Sequence, residues 1–210
     1  MLKNKQFLFL VTGTFFSTFG DAVLFVVLLS MLQGFEVNGL STSIYFIVST
    51  LPFLLFSLHI GAFVEKRTLQ KIMMSSDLSR VVLLLVFYFL LFFSVTSVYL
   101  IYVLLFSVVF VNLFFTTAST TLMPKIIETE DIPKANSTFR VITMTSKLIA
   151  YSFVALLFKL SYSTYQYLLV IVVFYLASFI LTSFVRPYFK NIEGLSLIHI
   201  SEPTRRRGIS

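Results

Sequence analysis

The sequence has no cysteine, which excludes disulfide bonds and thiol chemistry. Charge is scarce as well. Asp, Glu, Lys and Arg make up 12% of the chain, against the ~25% of an ordinary soluble domain. Histidine occurs only as His59 and His199. That leaves no H-E-x-x-H or other histidine-built metal cluster, and no base for a nucleophilic triad. A phosphate-cradling G-x-x-x-x-G-K-[ST] loop is missing too, so bound ATP is not indicated as an energy source. The alternating polarity of membrane β-barrel strands is also absent. These absences argue against an enzyme and point to no cofactor and no metal.

What the chain has in quantity is apolar length. Hydrophobic residues are 58% of it, and the mean hydropathy is +0.95. Apolar runs long enough to cross a bilayer recur along the sequence. They predict six membrane spans, at about 7–32, 40–64, 77–93, 98–122, 135–160 and 166–185. The fold class is therefore all-α, a bundle of six transmembrane helices, with the lipid bilayer as its solvent. The first span is too long for the h-region of a cleavable signal, and more spans follow it. Pro52 lies inside span two, where membrane helices tolerate proline. Asp131 before Ile132-Pro133 reads as the start of the fifth helix.

One polar stretch organises the rest, residues 61–80, GAFVEKRTLQKIMMSSDLSR. It carries Lys66, Arg67, Lys71 and Arg80 between two strongly apolar spans. Basic loops stay cytoplasmic. With the N-terminus inside, eleven basic residues fall in cytoplasmic segments and only Lys159 falls outside. This bias predicts a multi-pass protein of the cell membrane with both termini in the cytoplasm. It also accounts for the net charge of +7 without nucleic acid. The final segment, LSLIHISEPTRRRGIS at 195–210, continues no span. It resembles translated adapter sequence joined to a truncated gene. The natural sequence is expected to stop near Gly194, with a disordered basic tail as the alternative, and resequencing the locus tests that.

Four motifs carry a family resemblance across residues 5–191. Gly61, Glu65 and Lys66, followed by Asp77 and Arg80, match a G-x-x-x-D-R-x-x-R-[RK] loop and the D-x-x-R that enters the next span. Glu replaces Asp and Lys replaces Arg in the first part. Gly20-Asp21 in FFSTFGDA matches S-x-x-G-D. Pro52 with the LHIG run ending at Gly61 partly matches P-x-x-x-x-x-P-x-x-G. Ala118, Pro124, Ala135 and Asn136 match F-x-P-A-x-x-A-x-x-P-x-x-x-x-x-x-x-L-x-x-A-N, with Thr117 and Ile132 departing from it. The chain resembles the amino-terminal half of a major facilitator superfamily transporter, close to the macrolide and drug efflux and siderophore exporter group of bacteria. The resemblance implies two inverted three-helix repeats and secondary-active efflux of a small amphipathic molecule. It also implies a partner that this chain lacks, the carboxy-terminal half, so the chain alone is expected to be inactive. Gly61, Glu65, Lys66, Asp77 and Arg80 would form a charge network that latches one state of the transport cycle. Span five has no glycine and Val108 stands near the place of a span-four arginine, so proton antiport is implied less directly than transport. A non-transporting accessory or receptor subunit is the alternative class.

On this reading two charges lie deep in the membrane. Asp21 is near the middle of span one and Lys147 near the middle of span five. A lone charge at that depth costs ~2.5–3.5 kcal/mol or more. The two are therefore expected to face the interior within salt-bridge or water-bridge reach. They would serve either as a substrate or proton site or as a structural pair. Asn112, near the middle of span four, would bind substrate or a neighbouring helix. Tyr45, Ser49 and Tyr151 are further candidates to line a cavity. His59 reads as a packing residue near the end of span two.

Overall fold

The computed structural model describes residues 4–35, 39–95, 97–160 and 164–186. The segment at 195–210 lies outside them. Among the described residues there are six α-helices and no strand: α1 (Lys5–Gln33), α2 (Gly39–Glu65), α3 (Leu69–Phe92), α4 (Val98–Leu122), α5 (Ile132–Lys159) and α6 (Thr164–Ser183). All six contain windows long and apolar enough to cross a membrane. The chain fits a multi-pass membrane protein, and its outward faces carry Phe53, Leu58, Phe92, Leu148 and Val173 as exposed side chains.

The helix ends follow local chemistry. Asn4 caps α1 by accepting a hydrogen bond from the Gln6 backbone N–H at 3.0 Å. Ser97 caps α4 through the N–H of Tyr99 at 3.2 Å. Asp131 precedes α5 with Pro133 in the first turn, although its side chain makes no capping bond. Pro52 lies within a continuous α2. After α3 the chain reverses at Ser94, whose φ of 58° is left-handed.

One boundary differs from expectation in a way that matters. Span three starts at Leu69, not at Asp77, and the turn before it is only Lys66, Arg67 and Thr68. Ser75, Ser76, Asp77 and Ser79 look like loop sequence. They nevertheless occupy the second and third turns of a helix that tertiary packing completes. Asp77 and Arg80, expected at the very start of the span, thereby lie two turns or more inside the helix.

Helices α1, α3, α4 and α6 supply most of the packed centre. Helix α1 packs on α5 and α6, α4 packs on α2 and α3, and α3 packs on α6. The apolar core forms two clusters. One gathers Phe7, Leu10, Val64, Met73, Leu122 and Val185 at the end that carries the first turn of α1. The other gathers Val27, Tyr45, Leu84, Leu104 and Ile171 at the opposite end. Between them the core is polar. Two glycines let α1 approach α6: a Cβ on Gly13 would sit 2.9 Å from the Thr182 methyl, and one on Gly20 would sit 3.0 Å from the Tyr175 ring.

Candidate functional site: a buried charge layer beside a polar cleft

The polar layer is built from three helices. Ser17 and Asp21 lie one turn apart on α1, Asp77 and Arg80 one turn apart on α3, and Tyr175 and Ser178 one turn apart on α6. Arg80 is the hub and is fully buried. Its Nη1 donates to Asp21 Oδ1 at 2.8 Å and Oδ2 at 3.0 Å. Its Nη2 donates to Ser17 Oγ at 2.8 Å and to Asp77 Oδ1 at 2.5 Å. Nε reaches the Ser76 carbonyl at 3.4 Å. The planar guanidinium is suited to this task because its five donors diverge in a fixed fork. The rings of Phe115 and Tyr175 lie over its face, at 4.9 and 4.6 Å from ring centroid to Cζ.

The carboxylates are satisfied from other directions as well. Ser178 Oγ donates to Asp77 Oδ2 at 2.7 Å, and Ser17 Oγ donates to Asp77 Oδ1 at 3.3 Å. Tyr175 donates to Asp21 Oδ1 at 2.7 Å. Asp77 is completely buried, whereas the Asp21 side chain keeps 19% of its surface exposed. Asp21 is therefore the acid of the layer that reaches outward.

It opens onto a cleft of about 570 Å³ between α1, α2, α4 and α5. Thr14, Thr18 and Asp21 come from α1, Ser49 from α2, and Asn112, Thr116 and Thr120 from α4. Helix α5 contributes Arg140, Thr143, Lys147 and Tyr151, spaced by three and four residues so that they form one stripe. The Asn112 Oδ1 is buried without a hydrogen-bond partner, alone in this among the described residues. Arg140 and Lys147 are exposed side chains and form no ion pair among the described residues.

Among the described residues Asp21 and Lys147 form no salt bridge, although both line the same cleft. Asp21 takes its counter-charge from Arg80 on α3, because the α3 helix begins two turns earlier than the hydropathy suggests. Besides Asp21 and Lys147, three more charges stand two turns or more inside the helices that build the layer and the cleft: Asp77 and Arg80 on α3 and Arg140 on α5. The structure does bring Asp21, Lys147 and Asn112 to one cleft, and α1 and α5 are neighbours, tied by Ser146 Oγ donating to the Phe15 carbonyl at 2.7 Å. The loop charge set divides. Asp77 and Arg80 join the buried layer, while Glu65 and Lys66 are exposed at the α2–α3 turn and pair with neither. A Cβ on Gly61 would meet nothing within 4 Å. Tyr45 is not a cleft residue: it is buried, and its hydroxyl donates to the Phe25 carbonyl at 2.6 Å. His59 is exposed, not packed in the core.

Ser17, Tyr175, Ser178 and Arg140 escaped the sequence reading. The first three carry a legible signal, since each lies three or four residues from another polar group on an apolar helix. Arg140 was assigned to the cytoplasmic flank because it stands in the polar first turns of α5. A scan of protein-family models finds no match to this chain, and searches of curated proteins and of solved structures return none.

Proposed function

We propose that this chain is one six-helix half of a secondary-active carrier that exports small amphipathic molecules by alternating access, with the α1–α2–α4–α5 cleft as its substrate site. The observation that carries the reading is the cleft itself. It places an acid, a base and an unpartnered amide at mid-span depth, where polar groups are expensive and usually functional. Its volume of about 570 Å³ lies in the range of small-molecule pockets. The neighbour relations add support. Exchanging α1 with α4, α2 with α5 and α3 with α6 turns the main packing pairs into one another, the pattern of two related three-helix repeats. In this reading the exposed faces of α2 and α5 meet a second half, both termini are cytoplasmic, and the membrane is that of a bacterial cell.

The buried layer then acts as the latch. Asp21 touches the cleft on one side and Arg80 on the other, so a ligand or proton at Asp21 changes the charge balance around α3 and α6. The complete hydrogen bonding of Arg80 favours a second reading, a non-transporting membrane subunit in which the layer only holds three helices together.

An efflux assay separates the two. Cells expressing the gene as its locus encodes it are loaded with amphipathic dyes, and extrusion is followed with and without uncoupler. Extrusion that stops with uncoupler and is lost in Asp21→Asn is the expected result. A membrane-inserted protein that moves none of the dyes and is indifferent to Asp21→Asn would overturn the proposal.

A further inference from the structure

The cleft has an unbalanced charge. The acid on its wall, Asp21, is already bound by Arg80 and Tyr175. The two bases on its wall, Arg140 and Lys147, are exposed and have no carboxylate among the described residues. They lie seven residues apart on the same stripe of α5, about 10 Å along the axis at ~1.5 Å per residue. Both side chains are long enough to reach a point between them, where Thr143 also lines the wall. The rest of the cleft lining is hydroxylic and apolar, with Phe25 on α1 and Val109 on α4, besides Asp21 and Asn112. Cations held against a low-dielectric wall attract anions more strongly than they would in water.

We infer that the ligand of this cleft is an anionic amphiphile: a carboxylate, sulfonate or phosphate held between Arg140 and Lys147, with its apolar body against Phe25 and Val109. A hydroxyl or amide N–H on that body would meet the unpartnered Asn112 Oδ1. The inference rests on the transport reading for its use, though the site itself can be tested by binding. The same head group could belong to an anionic lipid or to a soluble compound.

The test uses the full 210-residue chain in phosphatidylcholine nanodiscs. Equilibrium binding is measured for 2-naphthoate, neutral 2-naphthamide and 2-naphthylmethylammonium. Naphthoate is expected to bind about tenfold or more tighter than the amide, the size of one or two charge-assisted hydrogen bonds. Lys147→Gln and Arg140→Gln should each erode that ratio, and Lys147→Arg should keep it. Circular dichroism of each variant shows that the helices are intact. Equal binding of the three probes, preference for the ammonium, or a ratio untouched by both Gln variants would overturn the inference. Nanodiscs containing phosphatidylglycerol then identify the source. Displacement of naphthoate supports the site with lipid as occupant, and unchanged binding supports it with a soluble anion. In the cellular assay, uncoupler-sensitive efflux that ignores probe charge would sink this inference and leave transport standing. Charge-selective binding without any efflux would do the reverse.

Discussion

Replacing Arg80 by Met tests whether the polar layer holds the bundle together. The side chain is fully buried and serves two carboxylates on two helices. Methionine has nearly the same length but no charge and no donors. Asp77, with no exposed surface, would be left with only the hydroxyls of Ser17 and Ser178, and Asp21 with only Tyr175. Removing one member of a buried ion pair costs about 3–5 kcal/mol, mostly because the remaining charge is stranded. That is a factor of roughly 10² to 10⁴ in the folding equilibrium. The chain has no tryptophan, so unfolding by sodium dodecyl sulfate is followed by circular dichroism in mixed micelles. Arg80→Lys should fall between wild type and Met, because a single ammonium cannot span both acids. The decisive comparison is Arg80→Met with Asp21→Asn and Asp77→Asn added. If stranded charge is the cause, the triple variant regains at least half of the lost stability. A loss below about 1 kcal/mol for Arg80→Met, less than buried pairs show, would refute the reasoning, as would a triple variant no better than the single one.

Other expectations follow from the same geometry. Ser178→Ala removes a buried donor to Asp77 and should cost about 1.5–3 kcal/mol, the range for bonds to charged groups, read by the same detergent titration. Gly20→Ala pushes a methyl into the Tyr175 ring and should destabilise by about 1–3 kcal/mol, as overpacking does, whereas Gly39→Ala meets nothing within 4 Å and should not. Ser94→Gly relieves a left-handed backbone at the α3–α4 turn and should stabilise by roughly 0.5–1 kcal/mol, part of the ~1–2 kcal/mol such a residue stores.

The six helices were legible because lipid imposes one rule on every span: about twenty apolar residues in a row. Five of the six predicted spans lie within a few residues of the observed helices. The exception, span three, shows where that rule stops working. Residues 69–76 contain Gln70, Lys71, Ser75 and Ser76, which lower the local hydropathy, so the reading placed the membrane boundary at Asp77. The helix does not end there, because helix formation needs only backbone bonds and compatible side chains. Whether a helical turn is buried depends on what its neighbours offer. Here α1 offers Ser17 and Asp21, and α6 offers Tyr175 and Ser178. Gln70 is also caught, donating to the Thr182 and Ser183 carbonyls at 3.2 and 2.8 Å. Such complementarity between distant segments has no signature in a single hydropathy window. The cleft residues Asp21, Asn112 and Lys147 were found for a simpler reason: each is conspicuous alone, a polar group in the middle of an apolar run.

That Arg80 and not Lys147 makes the salt bridge to Asp21 also explains why Lys147 is the more telling residue. Had it neutralised Asp21, the cleft would hold a closed ion pair and little reason to bind anything charged. With Arg80 taking that role, Lys147 has no carboxylate among the described residues to offset the penalty of a charge at mid-span depth, and its side chain stays exposed on the cleft wall. A base at mid-span has two ways to lower that penalty: water in the cleft, or an anion that enters it. The first is available at any time and gives the residue no specific use. The second would make the unpaired charge a source of affinity for an anion, since opposite charges attract more strongly beside a low-dielectric wall than in water. An anion arriving there also stands across the cleft from Asp21, whose hold on Arg80 it would tighten or loosen through the field between them. On the proposed reading, ligand charge and the α1–α3–α6 layer would be coupled through that field without direct contact. Lys147→Gln should therefore weaken the response of the layer to ligand as well as the binding itself.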